Sequence, residues 1–291
     1  YFVMINYKTK KLSDKFYNNG LVIEPEENKN ILNLKTEDII SIFEQKGIIV
    51  FRDFELEASN ILKFTDKFTK VYAADAPRRD NLYDKKNINT VDLGFHEMPL
   101  HSEASYSPSW PEILWFYCVK SPKEGGETTI CDGISLWKSL SQDVKDFFLS
   151  NPITFDLEFP VVKKINKLNK RPWSLNALGS SHGIIDYSKG VFTVKQTRFA
   201  VTESRIDGQL AFVNHLMIIF ENEPQIKKIG LTNGDPIPKE IQSHILEKSN
   251  DLIHDINWDN SDLVMLDNRR FLQGRRSYTE NVERKIINVQ T

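Results

Sequence analysis

Short apolar runs separated by turn residues dominate the chain from Pro111 onward, and this alternation limits the fold more than any other feature. The runs EILWFYCVK, TTICDG, ITFDLEF, DLVMLDN and KIINVQ have the lengths and the β-branched or aromatic residues of strands, and SPKEGGE predicts a Gly/Pro turn between the first two. Many short strands of this kind predict a mainly β protein. The fold class we expect is a double-stranded β-helix, a cupin-like jelly roll with peripheral helices.

Helical patterns surround this predicted β core. The segment TEDIISIFEQKG has apolar residues at helical spacing, with Thr36 as its predicted cap and Gly47 as its predicted end. The other predicted helices are residues 59–72, 135–150 and 237–258. Residues 73–89 are predicted to be a surface loop. Residues 163–195 are predicted to be a long loop or hairpin near a site entrance. We expect a single domain, residues 1–291, with a helical and loop insertion around 163–250.

Composition narrows the class of protein. The 291 residues are 40% hydrophobic and 27% charged with a net charge of -2, which is typical of a soluble globular protein. This charge predicts no binding to nucleic acid and no attraction to anionic membranes. No apolar stretch approaches the ~20 residues of a membrane helix, and no signal-peptide pattern begins the sequence, so the expected location is the cytoplasm. Cys118 and Cys131 are too few for a disulfide framework, in agreement with a reducing compartment.

The tripeptide His101-Ser102-Glu103 lies just before the first long predicted strand. In an extended segment, residues i and i+2 point to the same side, so the imidazole and the carboxylate can converge on one cation. Two such ligands and a third from elsewhere form the facial triad of non-haem Fe(II) oxygenases. Alone, the H-x-E pattern is weak evidence, because it occurs often by chance.

Three separated segments, in the same order, resemble one family. They are HSEASYSPSWPEILWFYCVKSPKEGGETTICDG, the segment from Trp258 through SDLVMLDNRRFLQGRR, and Arg284 before the last predicted strand. Together they resemble the taurine dioxygenase and clavaminate synthase-like family of Fe(II)/2-oxoglutarate-dependent oxygenases. The resemblance covers roughly residues 47–290 and is looser over residues 163–236. The H-x-E-x-x-Y-x-P segment is most similar to members that hydroxylate amino acids or amino-acid units of peptide natural products.

The resemblance implies a role for each matching residue. His101 and Glu103 take the positions of the first two iron ligands, and Gln273 takes the position of the third, which is normally His. Thr128 matches the threonine that hydrogen-bonds the cosubstrate carboxylate, and Arg284 matches the arginine that pairs with the same carboxylate. A planar guanidinium suits this task because it binds a carboxylate through two parallel hydrogen bonds.

The implied cofactors are Fe(II), 2-oxoglutarate and O2, with ascorbate as an optional reductant. The implied reaction is the oxidative decarboxylation of 2-oxoglutarate to succinate and CO2, coupled to hydroxylation or another oxidation of the substrate. The implied substrate is a small amino-acid-like molecule, free or bound to a carrier protein, of the kind used in natural-product biosynthesis. The oligomeric state is left open.

Gln273 is the one departure from the family pattern. An amide oxygen is a weaker ligand than an imidazole nitrogen, so the affinity for iron is expected to fall. Three explanations are open: the enzyme uses an oxygen ligand, the chain is an inactive variant or relative that acts as a binding protein, or another histidine replaces the ligand. The other histidines are His96, His182, His215, His244 and His254. None has the sequence context of the third-ligand strand, and His215, in an apolar run, is expected to be a core histidine.

The residues that follow the metal motif are predicted to contribute to the substrate pocket: Ser102, Ser105, Tyr106 and Trp110. Arg270 and Arg275 flank Gln273, and a solvated basic surface is the expected place for both. A cupin-like protein that stores iron or zinc is disfavoured, because it has no need of Thr128 and Arg284.

Overall fold

The computed structural model describes residues 7–69, 71–73, 81–83, 85–91, 94–106, 110–160, 183–186, 191–221 and 228–291. The strands are β1 Tyr7–Lys11, β2 Leu21–Pro25, β3 Ile48–Phe51, β4 Asn81–Leu82, β5 Lys85–Thr90, β6 Met98–His101, β7 Ile113–Lys120, β8 Thr128–Asp132, β9 Ile153–Pro160, β10 Gly183–Asp186, β11 Val191–Arg198, β12 Val201–Glu203, β13 Leu210–Phe212, β14 Lys228–Leu231, β15 His254–Ile256, β16 Leu263–Asp267, β17 Phe271–Arg275 and β18 Lys285–Gln290. The helices are α1 Thr36–Lys46, α2 Ile61–Thr65, α3 Gly133–Ser139, α4 Gln142–Ser150, α5 Leu216–Glu221 and α6 Lys239–Leu252.

Two sheets form the centre of the molecule. The larger sheet has eight strands in the order β1-β2-β3-β16-β7-β18-β5-β4, and the smaller has four in the order β15-β8-β17-β6. The strands β9, β10, β11 and β14 make a further sheet, and β12 pairs with β13. The strands β6, β7 and β8, and again β15, β16, β17 and β18, alternate between the smaller and the larger sheet, which is typical of a jelly roll, so the mainly β prediction is confirmed.

The hydrophobic core follows the two faces of each central strand. On β16, Val264 and Leu266 belong to the cluster between the two sheets, where Phe271 of β17 also packs. Their neighbours Leu263 and Met265 belong to a second cluster on the opposite side of the large sheet, beneath α1 and α2. This separation follows from the period of two along a strand, and it explains why the sequence of β16 is apolar throughout.

The first two helices differ in how well the sequence predicted them. Helix α1 ends at Gly47 as predicted, where a φ of 68° and a hydrogen bond from the Gly47 N–H to the Phe43 carbonyl (2.7 Å) complete the C-cap. The predicted cap, Thr36, is wrong: Lys35 occupies the N-cap position, and Thr36 is the first helical residue. The second predicted helix is also too long. Helix α2 ends at Thr65, and the Thr69 hydroxyl accepts from the Val71 N–H (3.1 Å), a local bond that competes with helix formation.

Several other predicted element boundaries differ from those in the structure. The predicted surface loop 73–89 contains β4 and all of β5 except its last residue, Thr90. The fully buried Ile88 anchors β5 beside β18. The sequence did not reveal this strand, because Ile88 is its one apolar residue. The hairpin within 163–195 is confirmed for β10 and β11, while residues 161–182 and 187–190 lie outside the described residues. The late helix stops at Leu252, because the chain then pairs with β8 as β15. Within the described ranges, no helix is both long and apolar enough to span a membrane.

Candidate functional site

A cavity of about 640 Å³ opens between the two central sheets. Strands β5, β6, β7, β8, β17 and β18 and the residues around the start of α5 supply its described wall, and Met98, Phe116 and Ile286 make part of that wall apolar. Polar side chains gather at two places. The imidazole end consists of His101, Glu103 and Gln273, and the guanidinium end consists of Thr128, Arg275 and Arg284. All the residues predicted to bind iron or the cosubstrate therefore line one cavity.

His101 is the last residue of β6 and is buried. Its Nδ1 lies 2.8 Å from the Pro99 carbonyl oxygen, so Nδ1 carries the proton and donates it, and the lone pair is on Nε2. The Glu103 Oε2 atom lies 3.8 Å from this Nε2. The structure thus brings together the imidazole nitrogen and the carboxylate that the H-x-E pattern predicts as ligands of one cation.

Asn268, in the turn between β16 and β17, holds the backbone of Glu103 in place. Its amide nitrogen donates to the carbonyl oxygens of Glu103 and Pro111, both at 2.9 Å, and its Oδ1 accepts from the Glu103 N–H at 2.9 Å. The Ser102 hydroxyl lies 3.1 Å from the same oxygen and 2.7 Å from the Asn268 backbone carbonyl oxygen, so its one proton is shared between them. Sequence reasoning missed this positioning residue, although Asn268 lies within the motif DNRRFLQGRR.

Gln273 lies in β17 directly across from His101 in β6. Its Nε2 is 2.7 Å from the His101 Nε2, so the amide N–H donates to the lone pair that a metal ion would need. To act as a ligand, Gln273 would have to turn its amide and present Oε1. The residues therefore fit a divalent ion with two strong donors, His101 and Glu103, and one weak donor. In the described part of the chain, no three His, Cys, Asp or Glu residues form a metal-binding group.

His215 is a cavity residue that sequence reasoning placed in the core. Its ring packs edge-on against both His101, at a centroid distance of 5.2 Å, and Tyr106, at 5.0 Å. Its Nδ1 lies 3.3 Å from the Ser102 carbonyl oxygen. Burial, reinforced by the nearby His101, lowers the pKa of His215 to about 4, so the ring is neutral at physiological pH. The apolar run around it concealed its polar surroundings.

At the guanidinium end, the Thr128 hydroxyl oxygen accepts two hydrogen bonds. The Trp258 indole N–H donates to it at 3.1 Å, and the Nη2 of Arg284 donates at 3.3 Å. Because a hydroxyl has two lone pairs and one proton, both acceptor positions are used and the O–H is left to act as a donor. The hydroxyl is therefore arranged to donate to an anion. Trp258 was not predicted to contribute to the site.

Arg284 is held by the turn before β8. Its Nε donates to the Gly126 carbonyl at 2.6 Å. Gly126 has a φ of 69°, and a Cβ atom there would lie 2.9 Å from the Arg284 Cδ, so a glycine is required for this close approach. Burial, with the neighbouring positive charge of Arg275, lowers the pKa of Arg284 to about 10, and the guanidinium remains charged at physiological pH.

The expectation of a solvated surface is wrong for both arginines that flank Gln273. Arg270 is 1% exposed and binds Asp132 with two hydrogen bonds, of 3.0 and 2.8 Å. Arg275 is 6% exposed and lines the cavity. Both side chains leave β17 or its turn toward the interior, where a carboxylate or the cavity replaces water around the charge.

The four predicted substrate residues have different places. Tyr106 lines the cavity, while the described wall does not include Ser102, Ser105 or Trp110. The Ser102 hydroxyl donates to the Asn268 carbonyl at 2.7 Å and accepts from the Trp110 indole N–H at 2.8 Å. Ser102 and Trp110 are thus hydrogen-bonded to one another, and both are buried. Ser105 is also buried. The side chains of these three residues pack beside the described wall, and their contact with a substrate stays a prediction.

Three of the remaining histidines are in the described part of the chain. The His96 carbonyl accepts from Arg275, His244 is on α6, where its Nε2 accepts from the Ser141 N–H, and His254 is in β15. His182 lies outside the described residues.

A family model described as Taurine catabolism dioxygenase TauD, TfdA family matches residues 8–290. The chain belongs to this family. The predicted family is therefore confirmed, and so is the class of enzyme, a dioxygenase that depends on iron and 2-oxoglutarate and uses O2 as cosubstrate. No curated protein sequence matches the chain.

Solved structures with a similar fold include a taurine dioxygenase from Burkholderia xenovorans, PvcB from Pseudomonas aeruginosa, and AAD-2 in complex with Mn(II) and N-oxalylglycine. Their sequence identities to this chain are 12%, 14% and 14%, and the TM-scores are 0.68, 0.65 and 0.60. Each alignment covers 98% of this chain, and respectively 88%, 91% and 97% of the other. At these identities the likeness shows the fold alone, and the predicted jelly roll is confirmed.

Proposed function

We propose that this dioxygenase binds Fe(II) at the imidazole end of the cavity and 2-oxoglutarate between the two ends, and that it oxidises a small amino-acid-like substrate. The observation that carries the proposal is the placement of His101, Glu103, Thr128 and Arg284 in the wall of one cavity. A surface histidine, an ordinary strand threonine and a surface arginine would have no reason to share a cavity between two sheets.

Each residue has a distinct task in this proposal. His101 and Glu103 hold the metal, and the Gln273 amide supplies an oxygen once it has turned. When bound, Fe(II) supplies the activation of O2 that oxidises the substrate. Arg284 and the Thr128 hydroxyl bind the distal carboxylate of 2-oxoglutarate, and this fixes the position of its 2-oxo acid group. The surrounding apolar side chains keep water away from the reacting groups.

The dimensions of the cavity limit the substrate. A volume of about 640 Å³ holds 2-oxoglutarate and leaves room for a small molecule or for the end of a larger one. Tyr106 and the neutral His215 offer polar contacts beside the imidazole end. PvcB is described as an Fe, alpha-ketoglutarate dependent oxygenase from an isonitrile synthetic pathway. A free or carrier-bound amino acid is the substrate class that the H-x-E-x-x-Y-x-P resemblance favours.

One observation favours a second function, that of a binding protein without oxygenase activity. The Gln273 N–H occupies the lone pair of His101 at 2.7 Å. A site of this kind can bind 2-oxoglutarate at the guanidinium end without holding iron firmly enough for turnover. The two functions differ in their need for metal and not in their need for Arg284.

Turnover without added substrate separates the two functions. Fe(II) and 2-oxoglutarate are added anaerobically and the visible charge-transfer band of the chelate is recorded, and O2 is then admitted and succinate is measured. The oxygenase gives the band and succinate. If both are absent here but present in Gln273→His, the chain is the binding protein. An untargeted metabolite comparison for products that gain one oxygen atom then addresses the substrate.

A further inference from the structure

The guanidinium end contains a second arginine that the family resemblance did not supply. Arg275 lies two residues after Gln273 on β17, so both side chains leave the same face of the strand. Its cross-strand neighbour on β8 is Thr128. The side chain is 6% exposed and lines the same cavity as Arg284.

The two guanidinium groups converge on one aromatic ring. The Cζ atom of Arg275 lies 5.5 Å from the centroid of Tyr278, and the Cζ atom of Arg284 lies 5.9 Å from the same centroid. The ring therefore limits how far apart the two cations can be. The Nη2 of Arg275 donates to the His96 carbonyl at 2.9 Å, and this bond fixes the orientation of its guanidinium.

Two guanidinium groups that contact one aromatic ring in a partly buried site do not stabilise each other. Each repels the other: burial first and the positive charge of Arg275 second lower the pKa of Arg284, and the low local dielectric strengthens the repulsion. A bound anion reverses the sign of this interaction, because it attracts both cations at once. The Thr128 hydroxyl, with both of its lone pairs already used, adds a neutral donor between them.

We infer that Arg275 is a second anchor for the distal carboxylate of 2-oxoglutarate and determines the preference of the site for a dicarboxylic 2-oxo acid. The inference rests on the proposed cosubstrate site and extends it by one residue. A carboxylate has about four acceptor positions, and Arg284 with Thr128 fills those on one side. Arg275 donates to the other side, so the carboxylate is held between two planar forks.

The test compares two ligands that differ only in this carboxylate. The affinities of 2-oxoglutarate and of 2-oxopentanoate, which ends in a methyl group, are measured with the Fe(II)-loaded protein under anaerobic conditions. Tryptophan fluorescence is a suitable signal, because the Trp258 indole donates to Thr128 at 3.1 Å. In Arg275→Met, we expect the 2-oxoglutarate affinity to fall about tenfold while that of 2-oxopentanoate is unchanged, as for the loss of one charged hydrogen bond.

Arg276→Met is the matched control. It removes the same charge from the next residue, but Arg276 points outward and pairs with Asp255 at 3.0 Å and Glu97 at 3.6 Å. We expect it to change the ratio of the two affinities by less than about twofold, as for other exposed ion pairs. Arg275→Lys keeps the charge without the planar fork and should lower the ratio by an intermediate amount.

The ratio distinguishes this inference from a purely structural role, which would weaken both ligands alike. It is overturned if Arg275→Met keeps the wild-type ratio, or if Arg276→Met changes it equally. Should Arg275→Met fail to fold, Arg275→Lys decides, and an unchanged ratio there also overturns the inference. If the wild type does not bind 2-oxoglutarate, the proposed cosubstrate site itself fails. Absence of succinate with normal 2-oxoglutarate binding would contradict only the proposed turnover.

Discussion

The imidazole end and the guanidinium end share one cavity, yet they differ in whether the atoms that would bind a ligand are already used in hydrogen bonds. At the guanidinium end, Thr128 and Arg284 bond to each other and to the fold in a way that leaves donors for an anion. At the imidazole end, Gln273 donates to His101, and this bond uses the lone pair that a metal ion needs. In the proposed function, the guanidinium end binds its ligand without rearrangement, while the imidazole end must first break the hydrogen bond between Gln273 and His101.

The difference does not extend to the framework behind the two ends. Asn268 holds the backbone of Glu103 through hydrogen bonds, and the Gly126 carbonyl holds the side chain of Arg284 in the same way. The change at the imidazole end is therefore confined to one side chain. In the proposed function, the metal-binding scaffold is retained while its affinity for the metal is reduced, and the proposed cosubstrate site does not reveal that reduction.

The largest expected effect comes from removing the charge of Arg284. Arg284→Met should weaken 2-oxoglutarate binding about 100-fold, because it removes charge-assisted hydrogen bonds to the carboxylate. Fluorescence titration measures this, with Arg276→Met as the control for loss of one positive charge. An affinity equal to that of the wild type would show that the guanidinium end does not bind the cosubstrate.

The second-largest effect is expected from a substitution in the framework behind the imidazole end. Asn268→Ala removes the donors to the Glu103 and Pro111 carbonyls and the acceptor of the Glu103 N–H. Because buried polar groups lose their partners, we expect the free energy of unfolding to fall by roughly 2–3 kcal/mol. Urea unfolding followed by circular dichroism measures the loss. A change of less than about 0.5 kcal/mol, the usual range for a surface substitution, would mean that Asn268 does not hold this turn.

How much of this could be predicted from the sequence depended on whether a signal was local. The H-x-E spacing predicted that His101 and Glu103 would converge, but the strand period was not the reason, because β6 ends at His101 and Glu103 lies in the turn that follows. Arg270 and Arg275 were misplaced, because an arginine in a turn is usually solvated, and only the sheet pairing shows which of its sides faces the interior. His215 was misplaced for the converse reason: an apolar sequence around it concealed a polar cavity formed by distant strands.

Replacing Gln273 by histidine, the residue usual at this position, should make the imidazole end as able to bind its ligand as the guanidinium end. In Gln273→His, an imidazole lone pair replaces the amide, and we expect the affinity for Fe(II) or Mn(II) to rise at least about tenfold. Anaerobic calorimetry or the loss of the free Mn(II) resonance signal measures this affinity. Gln273→Ala is the control, because it frees His101 without adding a ligand and should stay within about threefold of the wild type. If Gln273→His binds no more tightly than the wild type, the amide is not what limits metal binding.

The smallest effect concerns pH at the guanidinium end. Carboxylate binding requires a protonated Arg284, whose pKa is lowered to about 10 by burial first and by Arg275 second. The bound state is therefore favoured below that pKa, and affinity is lost as the pH rises through it. Between pH 7 and 9 we expect the 2-oxoglutarate affinity to change by less than about twofold, and above pH 10 it should fall about tenfold for each unit. Arg275→Met removes the neighbouring positive charge, so the same fall should begin at a higher pH. A shift to lower pH in that variant would mean that the two guanidinium groups do not repel one another across the site, and titrations of wild type and variant at matched ionic strength would detect it.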